Sequence, residues 1–318
     1  MTTYTDTGRV LIRLTCSDGQ VTGVQVNSER PDVSQLLRGR TTPQVIRMVS
    51  SMFALCGHAQ MRAAVLAMSA ARGEKCNPSI DQEVRREALR EHLWHCLLDL
   101  PQLLGHVELK QEFVLGAKAI ANGQRDDLYA LLSNPSIQGL RMRLSEFDDA
   151  QISQKLLPRL SAKDSLLVWP RLSSEFCRHP MWKGAAAVTG AITSDDDSAT
   201  SFFSARWHAR FDELTKWASG HDVAGHVGTV SAVPVAPGIG RALVETARGL
   251  LMHEVAMDGD VVADYLIVAP TEWNFHPQGL LHAQLFGADA RDRDALQQRV
   301  SRLVTTLDPC VPWELEWA

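Results

Sequence analysis

The sequence predicts an α+β protein that is mainly helical. Two stretches alternate apolar and polar residues around an Asp-Gly pair, at Asp18-Gly19 and at Asp258-Gly259, and this alternation is typical of β-hairpins. Much of the remaining sequence instead repeats its apolar residues at the spacing of helices. We therefore expect a few hairpins joined to a larger set of helices.

Composition and charge exclude several classes of protein. The chain has 318 residues, of which 45% are apolar, and this is enough to bury a sizeable core. Its net charge is -5 and its charged residues are interspersed, so it lacks the basic stripe that nucleic-acid binding normally requires. No apolar run approaches the roughly 20 residues that cross a bilayer, and the N-terminus has no signal-peptide pattern. We expect a cytoplasmic protein that neither binds nucleic acid nor inserts into membranes.

The cysteines are scattered along the chain. None forms a Cys-x-x-Cys pair, which argues against a disulfide framework and against a self-contained zinc site. We expect reduced thiols, most of them buried packing residues. The six are Cys16, Cys56, Cys76, Cys96, Cys177 and Cys310.

The N-terminal part of the chain predicts a hairpin followed by two helices. Residues 9–16 and 21–26 form the two arms of the hairpin. Thr42 can cap a helix whose first turn contains a proline, and Gly57 weakens this helix just after Cys56. A second helical run follows. Cys56 is therefore expected at a helix end, with its sulfur free to point into an interior cleft.

The stretch from Asn77 to Leu104 predicts one long amphipathic helix. On it, His92, His95 and Cys96 could share a helix face and hold a metal ion. No further ligand stands at a suitable spacing, so the simpler interpretation is that they are packing and capping residues. The residues expected to point inward are Val84, Leu89, Leu93, Leu97 and Leu98.

Helices also dominate the middle of the sequence. Residues 105–160 are helical in composition, and residues 205–219 predict a helix with one apolar face. The stretch from His221 to Gly240 is rich in glycine and proline and predicts a long loop. The apolar face of the second helix contains Trp207, Phe211, Leu214 and Trp217.

The last part of the chain predicts a hairpin and a final helix. The hairpin has its arms at residues 251–255 and 261–267. Asp294 can cap the helix, and Pro309 terminates it. Cys310 thus follows immediately on a rigid element.

Two groups of motifs resemble the large subunit of nickel-iron hydrogenases. That family has an Arg-Gly turn, a Pro-Thr-x-Trp-Asn segment and an Asp-Pro-Cys-x-x-Cys motif, and here Arg248-Gly249, Pro270–Asn274 and Asp308–Cys310 stand in the same order. Nearer its N-terminus the family has Arg-Gly-Arg before a helix that ends in Cys-Gly-x-Cys, and here Arg38–Arg40 leads to Cys56-Gly57. The resemblance covers both ends of the chain well and its middle poorly. It implies one large-subunit-like domain over residues 1–318, a helical bundle with β-hairpins at its periphery.

The chain departs from the family pattern at ligand positions. Phe53 and Trp313 stand where the family has cysteines, and Gln60 replaces a histidine. In the resembled subunits four thiolates hold nickel, and two of them bridge to an iron that carries cyanide and carbon monoxide. Two thiolates remain here, and nickel favours a fuller set of soft donors. We therefore expect no nickel and no hydrogen activation.

The resemblance also implies a role for each residue that is kept. Cys56 matches a bridging ligand and Cys310 a terminal nickel ligand, so both are candidate metal ligands. Arg248 and Thr271 match an arginine and a hydroxyl residue that surround the cyanide ligands, and Asp308 belongs to the motif of Cys310. These last three are candidate cofactor-binding residues. Replacing Arg248 by alanine is expected to abolish iron binding and to leave the fold intact.

Such a pattern is similar to that of the HupK/HoxV hydrogenase accessory proteins, which are degenerate relatives of the large subunit. The resemblance implies a protein that is not an enzyme and has no catalytic residues. Its implied role is that of a scaffold or chaperone in hydrogenase maturation, which transiently holds an iron fragment with cyanide and carbon monoxide ligands, Fe(CN)2CO, or transfers it to the large subunit. The implied partners are the hydrogenase large subunit and maturation chaperones of the HypC type.

Two other functions remain as alternatives. A cofactor-free interaction protein would mimic the large subunit in order to bind maturation chaperones, and the sequence does not separate this function from that of a scaffold. A redox enzyme with a reduced metal site fits less well, because the histidine and two ligand cysteines are missing.

Overall fold

The structure is a computed structural model that describes residues 8–144, 157–160, 169, 171–191, 202–221 and 227–318. Within these residues the strands are β1 (Arg9–Ser17), β2 (Gln20–Glu29), β3 (Cys76–Ile80), β4 (Arg159–Leu160), β5 (Val188–Thr189), β6 (Thr229–Ala236), β7 (Ile239–Thr246), β8 (Gly249–Asp258), β9 (Val261–Val268) and β10 (Trp313–Trp317).

The α-helices of the same residues are α1 (Thr42–Met52), α2 (Gly57–Ala71), α3 (Gln82–Trp94), α4 (Leu100–Leu103), α5 (Lys110–Asn122), α6 (Arg125–Leu132), α7 (Pro135–Met142), α8 (Ser174–Arg178), α9 (Phe202–Ala218), α10 (Pro270–Asn274), α11 (Leu280–Leu285) and α12 (Arg293–Leu307). A short 3-10 helix covers Val33–Leu37, and a π-helical turn, His95–Asp99, joins α3 to α4.

A three-stranded sheet brings the two ends of the described chain together. β1 lies in its middle, with β2 antiparallel on one side and β10 parallel on the other. The turn between β1 and β2 has φ of 52° at Asp18 and 77° at Gly19, as a two-residue hairpin turn requires. The predicted hairpin is confirmed. Cys16 packs half-buried against the apolar face of this sheet, as expected for a packing residue.

A five-stranded antiparallel sheet, with the order β3-β6-β7-β8-β9, lies under α2. β7 and β8 are buried along most of their length. α2 approaches β7 so closely that a Cβ on Gly240 would overlap the backbone of Ala67 and Ala71. The second predicted hairpin is confirmed as β8 and β9, but it belongs to this buried sheet. The described structure is therefore a mixed α/β fold, and the predicted helical bundle with peripheral hairpins is not confirmed.

Two local predictions are wrong. The helix predicted from Asn77 begins only after β3, which pairs with β6. The loop predicted for His221 to Gly240 contains β6 and the start of β7. Pro234 lies where the register between β6 and β7 shifts, and Gly238, with φ of 74°, forms the turn between these two strands. These breakers therefore fall at an irregularity and a turn, where they leave the strands intact.

The helices form a separate core. α3, the π-helical turn and α4 follow one another directly, and α5, α6, α7 and α9 contribute to the same apolar cluster. The helical prediction for residues 105–160 is confirmed as far as Met142, residues 145–156 lie outside the described residues, and Arg159–Leu160 form β4. The apolar face predicted for α9 is buried here, with Trp207, Phe211, Leu214 and Trp217.

Both helix starts predicted from capping residues are displaced. Thr41 caps α1 instead of Thr42, and its backbone N–H donates to the side chain of Gln44 at 2.9 Å. Asp292 caps α12 instead of Asp294, and its carboxylate accepts from the backbone of Ala295 at 3.0 Å. In each case the N-cap residue comes earlier in the sequence than expected, so the helix is longer at its start.

Membrane insertion was not expected from the sequence. Across the residues that the structure describes, the helices are too short or too polar to cross a bilayer.

Candidate functional site

The predicted ligands Cys56 and Cys310 share one environment although they lie far apart in sequence. Cys56 is the N-cap of α2. Cys310 lies two residues after Asp308, the C-cap of α12. Both side chains are half-buried. Burial, followed by the charge of Cys310, raises the pKa of Cys56 to about 12, and the charge of Arg248 acts in the opposite direction. The two thiols and Arg248 are therefore close enough to interact electrostatically.

The start of α2 fixes the position of Cys56. The first amides of a helix have no partner inside it, and here Glu87 of α3 accepts from the backbone N–H groups of His58 (2.8 Å) and Ala59 (3.1 Å). One turn into α2, the side-chain Nε2 of Gln60 lies 3.8 Å from Cys56 Sγ. Cys56 is thus attached to a helix end that Glu87 of α3 holds in place.

Thr271 contacts the second cysteine directly. Its Oγ1 lies 3.3 Å from Cys310 Sγ and accepts the backbone N–H of Cys310 at 3.4 Å. Because the hydroxyl oxygen accepts from the backbone, its own hydrogen can point to the sulfur. Thr271 is buried in α10, directly after β9. The geometry therefore places a neutral donor beside this thiol.

Arg248 lies in the tight turn between β7 and β8. The next residue, Gly249, has φ of 123°, and a Cβ there would lie 2.5 Å from atoms of Gly190 and Thr189, so this turn requires glycine. The carbonyl of Arg248 accepts a hydrogen bond from Asn274 Nδ2 at 3.1 Å. The Arg-Gly and Pro-Thr-Glu-Trp-Asn motifs are therefore joined by a hydrogen bond from the side chain of Asn274 to the backbone of Arg248.

The guanidinium of Arg248 bridges two carboxylates. Nη1 lies 2.7 Å from Glu91 Oε2, and Nε lies 3.1 Å from Asp308 Oδ2. Burial alone would lower the pKa of Arg248, but the charges of Asp308 and Glu91, and then those of Cys310 and Cys56, outweigh burial and raise it. Arg248 is consequently a permanent cation held beside both thiols.

Asp308 also binds a histidine that the sequence analysis treated as a packing residue. His95 Nε2 lies 2.8 Å from Asp308 Oδ2, and His95 Nδ1 lies 2.5 Å from Asp99 Oδ2. Burial would raise the pKa of Asp308, but Arg248 and His95 outweigh it and hold that pKa well below its ordinary value. Burial likewise opposes the charged form of His95, whereas Asp308 and Asp99 raise its pKa. Glu91, His95 and Asp99 recur every fourth residue, and this spacing is a sequence signal that could have revealed the network.

The cluster around Asp308 positions Arg248 instead of holding a metal ion. Glu91, His95 and Asp308 bring ligand atoms within 4.8 Å of one another, but Arg248 already binds both carboxylates and supplies the cation. His92 is fully buried, and among the described residues neither of its ring nitrogens has a hydrogen-bond partner. Burial lowers its pKa well below the ordinary value, so it remains a neutral packing residue.

A second cation, Arg30, was missed by the sequence analysis. It follows β2, and its Nη1 lies 3.1 Å from Glu272 Oε1, with 19% and 12% of the two side chains exposed. Burial would lower the pKa of Arg30, but the charges of Cys310, Glu272 and Cys56 outweigh it and raise that pKa. Because Arg30 belongs to no motif, only its position in the fold brings it to the thiols.

The two residues at positions where the resemblance leads one to expect cysteines pack against apolar neighbours. Phe53 is half-buried beside α2 and also lines a cavity of about 240 Å³ next to Arg30 and Glu272. Trp313 packs in β10 against the core of the three-stranded sheet. Neither side chain has a ligand atom, so the thiols near Arg248 are those of Cys56 and Cys310.

Comparisons with known proteins agree with this architecture. Residues 198–312 match the family model of nickel-dependent hydrogenase. The fold resembles the [NiFeSe] hydrogenase of Desulfovibrio vulgaris Hildenborough (TM-score 0.59, 15% identity, 93% of this chain and 94% of that chain). It also resembles the enzyme of Desulfomicrobium baculatum (TM-score 0.57, 14% identity, 93% and 95%). The chain thus has the fold of the nickel-iron hydrogenase large subunit.

Comparison with curated proteins identifies relatives that are named as hydrogenase expression/formation proteins. The hydrogenase expression/formation protein HoxV of Cupriavidus necator is 29% identical, over 96% of this chain and 95% of its own length. The HupK proteins of Azotobacter vinelandii (97% and 98% covered) and Bradyrhizobium diazoefficiens (91% and 90%) are each 26% identical. The chain is a homologue of the HoxV/HupK hydrogenase expression/formation proteins.

Proposed function

We propose that this protein acts in hydrogenase maturation as a non-enzymatic scaffold that holds the Fe(CN)2CO fragment and transfers it to the hydrogenase large subunit. The observation that carries the proposal is the pair of thiols, Cys56 and Cys310, beside the buried cation of Arg248, the half-buried cation of Arg30 and a hydroxyl donor. The relatives named as hydrogenase expression/formation proteins support a role in maturation.

The charge of the cargo explains why cations are needed. Iron(II) with two cyanides and two thiolates has a formal charge of about −2, and burying such an anion is costly without opposite charge and hydrogen-bond donors. Arg248 is held by Glu91 and Asp308, which fix its position and offset part of its charge. Arg30 therefore supplies a second positive charge, and Thr271 a neutral donor beside Cys310.

The remaining ligands favour iron over nickel. With Phe53 and Trp313 at two of the family's cysteine positions, two thiolates are left, and nickel prefers a fuller set of soft donors. An iron fragment that brings its own cyanide and carbon monoxide ligands needs fewer protein ligands. The site therefore suits a fragment that is held and handed on, and hydrogen activation would require ligands that these positions lack.

A scaffold of this kind needs a donor and an acceptor. We propose a maturation chaperone of the HypC type as the donor and the hydrogenase large subunit as the acceptor, with the exchange taking place in the cytoplasm. The cavity beside Arg30 and Glu272 is lined by Phe53 and Cys177 and gives a place where the fragment could enter.

Infrared spectroscopy tests the proposal. The protein is purified from cells with an intact maturation system, and its iron content is measured beside its spectrum, because cyanide and carbon monoxide stretches have no protein background. Bands of both ligands with about one iron per chain are expected, and the Cys56→Ala and Cys310→Ala variants should lose them. Their absence from the unmodified protein would favour the cofactor-free interaction protein, and stoichiometric nickel would overturn the scaffold.

A further inference from the structure

A buried chain of hydrogen bonds leads from a tyrosine to the sulfur of Cys56. Tyr265 OH lies 2.7 Å from His253 Nδ1, His253 Nε2 lies 2.9 Å from Gln60 Oε1, and Gln60 Nε2 lies 3.8 Å from Cys56 Sγ. Tyr265 and His253 are fully buried, and Gln60 is 2% exposed. Polar groups at such depth are costly unless each is paired, so the alignment of three of them on one sulfur requires an explanation.

Counting hydrogens fixes which atom donates and which accepts at each step of this series of hydrogen bonds. Among the described residues, His253 Nδ1 is the only acceptor within hydrogen-bond distance to which the buried Tyr265 hydroxyl can give its hydrogen. If Nδ1 accepts, a neutral imidazole carries its hydrogen on Nε2 and donates it to Gln60 Oε1. The carboxamide of Gln60 then has its oxygen toward His253 and its N–H toward Cys56. The reverse arrangement would leave the Tyr265 hydroxyl hydrogen buried and unpaired, at a cost typical of an unsatisfied donor.

The imidazole in the middle of the chain stays neutral. Burial lowers the pKa of His253 to about 3, and burial raises the pKa of Tyr265 above its ordinary value. Neither group changes charge near neutral pH. The donor and acceptor roles of Tyr265, His253 and Gln60 therefore do not depend on pH near neutrality. A histidine, which the resembled family has at the position of Gln60, would change its charge in this range.

We propose that Tyr265, His253 and Gln60 form a positioning relay that keeps a neutral N–H donor on the sulfur of Cys56. A donor on this sulfur stabilises the thiolate form that binds metal and reduces the electron density that the sulfur gives to the metal. The effect on bound iron rests on the proposed function, but the direction of the relay does not. Gln60, His253 and Tyr265 act through Cys56 and are not themselves ligands.

The direction is tested first on the metal-free protein. Nitrogen-15 NMR of the imidazole groups, with His253→Gln to assign the signal, should show His253 neutral with its hydrogen on Nε2. Tyr265→Phe removes the hydroxyl that selects this tautomer and should give a mixture of both. Tyr129→Phe removes an exposed phenol and should change nothing. A cationic His253, or a hydrogen on Nδ1 in the unmodified protein, would overturn the relay.

The effect on iron is tested on the loaded protein. Gln60→Leu keeps a similar size and removes the donor, so the sulfur of Cys56 should give more electron density to iron and the carbon monoxide stretch should move to lower frequency. Tyr265→Phe should move it in the same direction by a smaller amount. An unchanged stretch in loaded Gln60→Leu protein would refute the relay while leaving the scaffold intact. Failure of the unmodified protein to bind iron would refute the scaffold, and the tautomer experiment would still decide the relay.

Discussion

The carboxylate of Asp308 binds His95 at 2.8 Å across 213 positions of the sequence. This contact connects the π-helical turn after α3 to the residue that ends α12, shortly before Cys310. Asp308 has φ of 58°, a left-handed conformation that residues other than glycine seldom adopt. The ion pairs with His95 and Arg248 hold Asp308 in this conformation. They therefore set the direction of the chain between the end of α12 and Cys310.

Removing His95 should weaken the fold in a pH-dependent way. The pKa of His95 is raised, so its contribution is complete below the ordinary value of 6.5 and is lost as pH rises through the higher folded value. The pKa of Asp308 is lowered, so its contribution is complete above 3.8 and is lost as pH falls through the lower folded value. His95→Ala should therefore cost most between these two ordinary values, about 3 kcal/mol for a broken buried pair.

Urea denaturation of His95→Ala at about pH 5 and about pH 8 measures this difference. His221→Ala removes an exposed histidine and serves as the control. Equal losses at both pH values would show that His95 contributes by packing alone.

Replacing Arg248 should affect folding as well as iron binding. The two ion pairs change the expectation that Arg248→Ala leaves the fold intact, because this variant leaves the buried carboxylate of Asp308 and the half-buried one of Glu91 without their cation, at a cost of about 3 to 5 kcal/mol. Arg248→Lys keeps the charge but loses the fork that spans Glu91 and Asp308. We expect it to fold, with a smaller loss of stability and a lower iron content. Circular dichroism and metal analysis on both variants test this, and full iron loading of Arg248→Lys would contradict the need for the fork.

Removing Arg30 should reduce iron content more than it reduces stability. In Arg30→Met the site loses a cation beside both thiols, and Glu272→Gln in the same chain removes the carboxylate left unpaired. The double variant should fold normally and hold less iron. Arg9→Met removes a cation from an exposed ion pair and should leave the iron content unchanged. Normal loading of the double variant would show that Arg248 alone suffices.

Cys56 should react slowly as a thiol in the metal-free protein. Burial, and next the charge of Cys310, raises its pKa to about 12, so little thiolate exists at neutral pH. Its rate of alkylation should rise about tenfold for each pH unit and keep rising beyond about pH 10. Peptide mass spectrometry follows the modification at Cys56, with Cys310→Ala to remove the neighbouring charge and increase the rate. A rate that levels off near pH 8 would contradict the assigned environment.

Two glycine substitutions should have opposite effects on stability. Gly240→Ala adds a methyl group against the backbone of α2 and should destabilise the protein by about 1 to 3 kcal/mol. Gly139→Ala in α7 meets no atom within 4 Å and should stabilise it by about 0.5 to 1 kcal/mol through helix propensity. Chemical denaturation compares the two, and equal stability of the two variants would show that α2 can move away from the sheet.

Local patterns predicted those parts of the fold that depend on local physics. The Asp18-Gly19 turn has a backbone that few other sequences adopt, and Trp207 and Trp217 repeat at the spacing of one helix face. The strands β6 and β7 were missed because Pro234 and Gly240 count as breakers in sequence. In the fold Pro234 lies at a register shift, and Gly240 is required by the approach of α2. The tertiary structure thus accommodates within strands two residues that local sequence rules treat as strand breakers.

The candidate site also contains some residues that local motifs predicted and others that only the tertiary structure brings into place. Cys310, Thr271 and Arg248 belong to motifs, and the structure brings them together. The pairs His95–Asp308 and Arg30–Glu272 span 213 and 242 positions, so no short window of sequence contains both members of either pair. Ion pairs of this kind are specified by the fold as a whole, and spacing along one helix can only suggest that a polar face lies inside the core.

The parallel pairing of β1 with β10 joins the first and the last strand of the described chain. Arg13 of β1 and Glu316 of β10 form an ion pair of 2.7 Å across 303 positions. Closing so long a loop costs chain entropy before the contact returns any stabilisation, and contacts between such distant segments form slowly. Cys310 lies just before β10, so we expect it to approach Cys56 late in folding. A chain that has not yet formed this pairing would therefore present its two thiols apart, and the proposed two-thiol site would exist only in the finished fold.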